Sequence, residues 1–343
     1  MELPGFVKQI KSRIDDRFRK HLYRNLVFKG GGVRAIAYMG ALEVLDQLGI
    51  VDGIQRVAGT SAGALSAALV SLRLSIPETR ALANTLDPTK VGKPVTSERP
   101  LRFWESLDSE SHFRLLKHYG WHSSEYVYEW VQGIVAEQCG GDGRATFADF
   151  RARGFRDLYI VASNISRHQA EVFSAAHTPH VAVADAVRMS ISIPIFFEAL
   201  RFDGQAFGDG DYYVDGGLYD NFPMHLFDRA EFAERSWAYR DGVNWETLGL
   251  FLFPMRLRNQ DTPERPETVW KFLTLMLRNV YYAQQASNYQ TNPVDKHRTI
   301  EISDCGIAPV ELDVKRDSEK YRQLYASGQQ AVRAFFELDD TAT

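Results

Sequence analysis

The sequence predicts a single α/β domain built around a mostly parallel β-sheet. Near its start, the chain twice places an apolar stretch before a segment whose apolar residues have helical spacing. Two strand–helix units in succession are typical of a parallel sheet with helices on its faces. The 343 residues, 45% of them hydrophobic, are enough for a sizeable core,. Because no repeat, low-complexity segment or Gly/Ser-rich linker divides the chain, one domain is the simplest organisation.

The first unit joins a strand at Asn25–Phe28 to a helix over residues 34–48, which ends at Gly49,. The second unit joins an apolar strand at residues 54–58 to a helix over residues 62–74 that is rich in alanine and leucine. Small side chains would let this second helix pack closely on a sheet. We therefore expect both helices to cover the sheet that the two strands begin.

Beyond these units the apolar patterns predict four more strands and four more helices,. The strands are expected at residues 157–163, 171–174, 247–253 and 299–302, and the helices at residues 124–138, 182–190, 267–288 and 318–338. Residues 88–122 mix proline, lysine and serine with scattered aromatic side chains, which predicts an irregular insertion,. Two interpretations of that insertion remain open: a lid over an apolar site, or an ordinary surface loop.

Charge and cysteine usage exclude several classes of protein. The formal net charge of -4 and the pI of about 6.2 give no basic field of the kind that nucleic-acid binding needs,. Cys139 and Cys305 lie far apart without metal-ligand spacing, which argues against a disulfide framework and favours a cytoplasmic, reducing compartment,. The chain shows neither an apolar run of transmembrane length nor the apolar core of a secretory signal,.

Residues 1–24 predict a basic amphipathic helix. Lysine and arginine far outnumber acidic residues there, and apolar side chains recur at helical spacing,. The apolar stripe consists of Phe6, Ile10, Ile14, Phe18 and Leu22. Such a helix can lie on an anionic membrane surface as a peripheral contact, or it can simply dock its stripe on the domain. Both interpretations remain open at this point.

The pentapeptide Gly59-Thr60-Ser61-Ala62-Gly63 lies between the second predicted strand and its helix. A Gly-x-Ser-x-Gly sequence in this context predicts a sharp turn that exposes a serine oxygen for nucleophilic attack. Gly59 and Gly63 would relieve crowding at the turn, and the start of the helix would place positive dipole near the serine. Ser61 is therefore the candidate nucleophile, although a glycine turn with an incidental serine is the alternative.

Gly30, Gly31 and Gly32 follow the first predicted strand and form a loop of bare backbone N–H groups. Such a loop can stabilise the oxyanion that forms when a carbonyl is attacked, or it can bind a phosphate. No P-loop sequence follows, and Ala35 stands where a dinucleotide-binding motif would have its last glycine,. Arg34 either adds positive charge near the loop or anchors the start of the helix.

A serine nucleophile needs a base, and no histidine stands out by its local pattern,. Asp215 does stand out, because an apolar stretch carries it to the pair Gly216 and Gly217. A partly desolvated aspartate has a raised pKa, which suits it to accept a proton from Ser61. A plain Asp-Gly turn is the alternative. A histidine triad on an α/β-hydrolase fold is less favoured, since only two strands precede the serine.

Four segments occur in the order found in the patatin-like phospholipases, which this chain resembles. They are residues 30–34, 59–63, 190–194 and 215–217, and Asn221-Phe222-Pro223 is also similar to that family. The resemblance covers about residues 25–223 of an expected domain 25–343, and leaves a helical C-terminal part at 260–343 without a motif. The family often has glycine where this chain has Ala35, which adds a methyl group at the start of a helix.

The resemblance implies a three-layer α/β/α sandwich and the hydrolysis of lipid acyl esters such as phospholipids. It implies a catalytic dyad of Ser61 and Asp215 without histidine, and an oxyanion hole formed by Gly30, Gly31 and Gly32. No metal or organic cofactor is implied. Two alternatives are an esterase or thioesterase for soluble acyl substrates, and a phosphate-binding module in which Ser61 is structural.

Overall fold

The computed structural model describes residues 22–91, 119–253, 265–267, 269–285 and 292–338. The helix that the sequence predicts at residues 1–24 lies outside this range except for its last three residues. Most of the insertion predicted at residues 88–122 also lies outside it.

Strands and helices are interspersed along the first half of the chain, as in an α/β protein. The strands are β1 (Asn25–Phe28), β2 (Arg56–Thr60), β3 (Gly120–His122), β4 (Asp157–Asn164), β5 (Gln169–Ser174), β6 (Ile195–Phe197), β7 (Leu200–Phe202), β8 (Asp211–Asp215), β9 (Tyr239–Arg240), β10 (Val243–Asn244), β11 (Thr247–Phe253) and β12 (Thr299–Ser303). The helices are α1 (Ile36–Gln47), α2 (Ala62–Ser71), α3 (Ile76–Ala83), α4 (Glu125–Gln138), α5 (Phe147–Ala152), α6 (Val183–Ser190), α7 (Val269–Gln285), α8 (Pro293–His297) and α9 (Glu319–Phe335).

The central sheet has eight strands and is mostly parallel. Seven of them follow the order β12-β11-β1-β2-β4-β8-β7, and β5 also pairs with β4. The five strands from β12 to β4 are parallel, whereas β5, β8 and β7 add antiparallel pairs. The parallel strands are buried along almost their whole length, as expected for strands covered on both faces,. The predicted α/β class with a mostly parallel sheet is therefore confirmed.

Alternate residues of the strands enter two different parts of the core. In β1, Leu26 and Phe28 join the large cluster that the helices cover, whereas Val27 faces a smaller cluster on the other side. The smaller cluster also contains Ala58, Tyr159, Met224 and Phe227. Short 3-10 turns at Met224–Phe227 and Ala230–Phe232 supply part of this second layer. Period-two alternation therefore gives the sheet two buried faces.

Helix α9 packs closely on α1 because each helix has a glycine at the crossing, Gly40 on α1 and Gly328 on α9, where a side chain would not fit. A Cβ atom at Gly40 would lie 2.0 Å from Tyr325 O, and a Cβ atom at Gly328 would lie 1.9 Å from Ala37 O. This contact holds the C-terminal helix on the first strand–helix unit. The C-terminal part is thus joined to the same domain as the glycine loop.

Within the described residues, the predicted strands and helices are present, with their ends shifted by a few residues. The helix predicted to start at residue 34 begins at Ile36, because Gly32–Ala35 form a 3-10 turn. Strands β7 and β8 were not expected, since both are short and mix polar with apolar residues. Within the described ranges, no helix has the length and apolar character needed to cross a membrane.

Candidate active site

Strands β2 and β8 meet end to end along the same edge of β4, and the site lies where they meet. Strand β5 pairs with residues 159–164 of β4 along the opposite edge. The other edge is shared, because β2 pairs with residues 157–161 in the parallel sense and β8 with residues 162–164 in the antiparallel sense. Thr60, at the end of β2, is opposite Val161, and Asp215, at the end of β8, is opposite Ala162. The two strands therefore deliver Ser61 and Asp215 to neighbouring positions.

Ser61 occupies a strained backbone conformation at the turn between β2 and α2. Its φ of 57° and ψ of -130° lie outside the regions that residues with a side chain favour,. Flanking glycines make the turn sterically feasible: a Cβ atom at Gly63 would lie 2.4 Å from Phe28 O, and one at Gly59 would lie 2.2 Å from Gly63 O. The predicted sharp strand–turn–helix geometry is present, with the serine at its tip.

The Ser61 hydroxyl donates a hydrogen bond to Asp215 Oδ2. The other carboxylate oxygen, Oδ1, accepts the N–H of Gly217 at 2.7 Å. Asp215 is only 1% exposed, and this burial raises its pKa to about 7, although hydrogen bonds from Ser61 and Gly217 oppose the rise. Burial disfavours the charged carboxylate, so its affinity for a proton is matched to neutral pH. Among the described residues, no histidine hydrogen-bonds to either side chain.

Ser190, the last residue of α6, and Ser192, just after the helix, hold this pair in place. The backbone N–H of Ser61 donates to Ser190 Oγ at 2.9 Å, and Ser190 Oγ donates to Val161 O at 2.6 Å. Two residues later, Ser192 O accepts the backbone N–H of Asp215 at 2.7 Å. The segment at residues 190–194, which the sequence singled out only as a motif, thus fixes both chain positions of the pair. The roles of Ser190 and Ser192 had no local sequence signal.

The pair Gly216 and Gly217 allows the backbone after Asp215 to approach its neighbours. A Cβ atom at Gly216 would lie 2.2 Å from Val161 O, and one at Gly217 would lie 2.4 Å from Tyr281 Cε1. Larger residues would push the turn away from β4 and from α7. Both glycines therefore support the position of Asp215.

The glycine loop lies directly against the serine. A Cβ atom at Gly30 would lie 3.1 Å from Ser61 Cβ. The Gly30 N–H donates to Asn221 O at 3.1 Å, so it is occupied within the protein. Gly32 has a φ of 60°, and a Cβ atom there would lie 2.0 Å from Pro309 O. The positive φ and the close carbonyl oxygen each require glycine at this position. Among the described residues, the N–H groups of Gly31 and Gly32 donate to no other group of the protein.

Two buried basic side chains hold the carbonyl groups of this loop. Lys29 Nζ donates to Gly30 O at 3.1 Å, and Arg34 Nε donates to Gly31 O at 2.9 Å. Arg34 in turn pairs with Asp304, with 2.9 Å between Nη1 and Oδ2. Because C=O and N–H point in opposite directions across a trans peptide, holding these carbonyls aims the Gly31 and Gly32 N–H groups the other way.

Lys29 is an unusual residue for this position, because it is only 1% exposed. Its burial, together with the nearby charge of Arg34, lowers its pKa well below the ordinary value, and Asp304 partly opposes this effect. Its Nζ atom also lies 4.9 Å from the centre of the Phe251 ring. No local sequence pattern selects Lys29, because its partner is the backbone carbonyl of the next residue, Gly30.

An apolar cavity lies beside Ser61 and is lined in part by residues of α2 and α4. The side chains that line it are predominantly aliphatic and aromatic, and they include Ala62, Leu65, Leu69, Val127, Trp130, Ile191, Ile193, Phe196 and Phe197. Gly32 and Val33 border the same space, so the glycine loop and the serine face one cavity. Pro88 and Val91, at the start of the predicted insertion, also line it. In the described part of the chain, no group of three or more histidine, cysteine or acidic side chains could hold a metal ion.

The family model for "Patatin-like phospholipase" matches residues 26–228 of this chain. Because this range is more than half of the 343 residues, the chain belongs to the patatin-like phospholipase family. This membership supports lipid hydrolase activity. The range includes the glycine loop, Ser61 and Asp215, whereas α7 to α9 lie beyond it.

Individual proteins are similar to this chain in sequence or in structure. YqhO of Bacillus subtilis, an uncharacterized protein, is 32% identical over 216 residues, which cover 61% of this chain and 68% of YqhO. The probable lipid hydrolase 463L of Invertebrate iridescent virus 6 is 22% identical over 204 residues, which cover 60% of this chain and 63% of that protein. VipD of Legionella pneumophila has a similar structure, with a TM-score of 0.56 over 92% of this chain and 67% of VipD. At 17% identity, the similarity to VipD shows the fold alone.

Proposed function

We propose that this protein is a lipid acyl hydrolase of the phospholipase A type that uses Ser61 as its nucleophile and Asp215 as its base. The observation that carries the proposal is the hydrogen bond from the Ser61 hydroxyl to the buried Asp215 carboxylate. A serine hydroxyl is a weak nucleophile until a neighbouring base takes its proton. Asp215 has a pKa of about 7, which suits a group that takes up and returns a proton near neutral pH,.

In the first half of the reaction, Ser61 Oγ attacks the carbonyl carbon of an acyl ester while its proton passes to Asp215. The carbonyl oxygen becomes negatively charged, and the N–H groups of Gly31 and Gly32 donate to it. Collapse of this intermediate breaks the ester bond, and the leaving alcohol takes the proton from Asp215. The acyl group is then attached to Ser61, and Asp215 is again a carboxylate.

In the second half, Asp215 takes a proton from water, which attacks the acyl-serine. The same two N–H groups stabilise the second oxyanion. Release of the fatty acid returns the proton to Ser61. Every proton transfer in this cycle runs between the substrate or water and the Ser61–Asp215 pair, so neither a metal nor an organic cofactor is required.

The apolar cavity supports an acyl chain as the group transferred. Its lining places aliphatic and aromatic carbon next to the nucleophile, and burial of each methylene group contributes about 0.8 kcal/mol,. A phospholipid or another acyl-ester lipid is therefore the proposed substrate class. We also propose a cytoplasmic protein that meets its lipid substrate through a peripheral contact of residues 1–24.

Product analysis tests the proposal directly. The purified protein is incubated with vesicles of mixed phospholipids, and the lipid products are identified by mass spectrometry. We expect free fatty acid and lysophospholipid from the unmodified protein, and none from the Ser61→Ala and Asp215→Asn variants. Ser71→Ala is the matched control, because Ser71 is a buried serine at the end of α2, the helix that follows Ser61, and its hydroxyl donates to Ala68 O.

Other results would support the alternatives. Turnover of dispersed short-chain esters without release of fatty acid from vesicles would favour an esterase for soluble substrates. A fluorophosphonate probe should label Ser61 in the unmodified protein. Absence of both labelling and turnover would favour a phosphate-binding module with a structural serine.

A further inference from the structure

Tyr281 reaches the site from α7, a helix that lies beyond the residues matched by the family model. Its ring packs on the turn that follows Asp215, since a Cβ atom at Gly217 would lie 2.4 Å from Tyr281 Cε1. One turn further along α7, Gln284 Nε2 donates to Tyr219 O at 3.0 Å. Two side chains of α7 thus attach the helix to the turn at residues 216–219.

The hydroxyl group of Tyr281 is buried. In the described part of the chain, no partner forms a hydrogen bond of ordinary geometry with it. A buried hydroxyl without a partner is energetically unfavourable, at about 1–3 kcal/mol. The Asp215 carboxylate is the charge that acts on it: burial raises the pKa of Tyr281 well above its ordinary value, and interaction with Asp215 raises it further. The Tyr281 hydroxyl therefore keeps its proton and is a hydrogen-bond donor, and the Asp215 carboxylate beside it is an acceptor.

Asp215 has room for this donor. Oδ2 accepts from Ser61 and Oδ1 accepts from Gly217. Each carboxylate oxygen can accept two hydrogen bonds, so the pair of oxygens can take further donors. The described groups that act on Asp215 are the Ser61 hydroxyl, the Gly217 N–H and the Tyr281 hydroxyl, and none of them carries a charge.

We propose that Tyr281 is a positioning residue of the Ser61–Asp215 pair, whose hydroxyl donates to the Asp215 carboxylate. The inference rests on the proposed function. In the acyl-enzyme, Ser61 Oγ carries the acyl group and has no proton to donate. Of the described donors, the Gly217 N–H and the Tyr281 hydroxyl then remain to Asp215, at the stage when it must orient and activate water. Tyr281 holds the carboxylate in place during that step.

A donor to a carboxylate favours its charged form and so lowers its pKa. Removing the Tyr281 hydroxyl should therefore raise the pKa of Asp215. Tyr281→Phe keeps the ring that packs on Gly217 and removes only the hydroxyl. We expect the acid limb of the kcat/KM profile to move to higher pH by about 0.5 to 1 unit, which below the midpoint is a loss of about three- to tenfold. The loss should shrink at pH 9, where Asp215 is charged in both proteins.

Tyr282→Phe is the matched control, since it makes the same change at the next position of α7. Its pH profile should coincide with that of the unmodified protein. Thermal unfolding of all three proteins shows whether Tyr281→Phe alters the fold. A lower Tm with an unchanged midpoint of the profile would mean that Tyr281 only packs α7 in place, and would overturn the inference.

Direct titration of Asp215 separates this inference from the proposed function. The carboxylate is followed by ¹³C NMR in protein labelled at aspartate, and the Asp215→Asn variant assigns the signal. The signal should titrate at higher pH in Tyr281→Phe than in the unmodified protein, whether or not either protein hydrolyses lipid. Equal titration in both would overturn the positioning role of Tyr281. A protein without esterase activity that still shows the shift would overturn the proposed function alone.

Discussion

The Ser61 hydroxyl donates to the Asp215 carboxylate across 154 residues of sequence. The contact exists because β2 and β8 run towards each other along one edge of β4, so that their ends meet at Val161 and Ala162. Helix α6 then fixes both chain positions through Ser190 and the segment after it. The geometry of the pair is therefore set by sheet register rather than by either local motif.

Activity should rise with pH through about 7. Asp215 accepts a proton only as a carboxylate, and its burial raises its pKa to about 7. We expect kcat/KM on a neutral ester to increase about tenfold per pH unit well below the midpoint and to level off above it. Initial rates between pH 5 and pH 9, at constant ionic strength, measure the profile. A midpoint near pH 4 would mean that an unburied carboxylate, or another group, is the base.

Stability should show the opposite trend with pH. The pKa of Asp215 is about 7 in the folded protein, whereas an aspartate in an unfolded chain has a pKa near 3.9,. The folded state holds the proton more tightly, so this contribution is fully present below about pH 4 and is lost as the pH rises through 7. Between pH 5 and pH 8, the unmodified protein should lose about 2.5 kcal/mol relative to Asp215→Asn.

Urea unfolding of both proteins at several pH values measures this difference. The Asn side chain keeps the shape of Asp215 and can still accept from the Gly217 N–H, so the comparison isolates the charge. Asp215→Asn should therefore be inactive and yet more stable at pH 8. Parallel stability curves for the two proteins would contradict the assigned pKa.

Replacing Lys29 by methionine should reduce kcat clearly and should change the Tm only a little. The change keeps a long apolar stem but removes the donor that holds Gly30 O, which leaves the Gly31 N–H less firmly aimed at the oxyanion. Complete loss of an oxyanion donor costs about 10²–10³ in kcat, so we expect a loss of about tenfold or more with little change in KM. Steady-state kinetics and Tm measure the two effects.

Lys320→Met is the control for this variant. Lys320 lies on the surface of α9, where it pairs with Glu311 and Asp313, and it does not contact the glycine loop. Its kcat should equal that of the unmodified protein. A Lys29→Met protein with unaltered kcat would show that the loop keeps its shape without the buried amine.

Alanine should be tolerated at Gly133 but not at Gly63. A Cβ atom at Gly63 would lie within 3 Å of two backbone carbonyl groups, those of Phe28 and Lys29, which cannot move without displacing β1. Gly63→Ala should therefore destabilise the protein by about 1–3 kcal/mol and reduce turnover. Gly133 is exposed in α4 with open space around it, so Gly133→Ala should stabilise the protein by about 1 kcal/mol,. Urea unfolding of both variants provides the comparison.

The sequence predicted those features that depend on neighbouring residues. The strand–turn–helix around Ser61 was predictable because Gly59 and Gly63 act within one turn, and the parallel part of the sheet followed from buried apolar runs. The antiparallel strand β8 was not predicted, although Asp215 at its end was selected as a base from the glycine pair after it. The Gly30 N–H was expected to contribute to an oxyanion hole, but the structure commits it to Asn221 O.

By itself, the sequence determined which residues can do chemistry: a serine flanked by glycines, a loop of three glycines and an aspartate before a glycine pair. Only the tertiary structure decided how these groups are held, through Ser190 on the Ser61 amide, Lys29 and Arg34 on the loop carbonyls, and Tyr281 beside Asp215. The physical reason is that backbone conformation follows largely from local sterics. The orientation and pKa of a side chain follow instead from burial and from hydrogen-bond partners that distant segments supply.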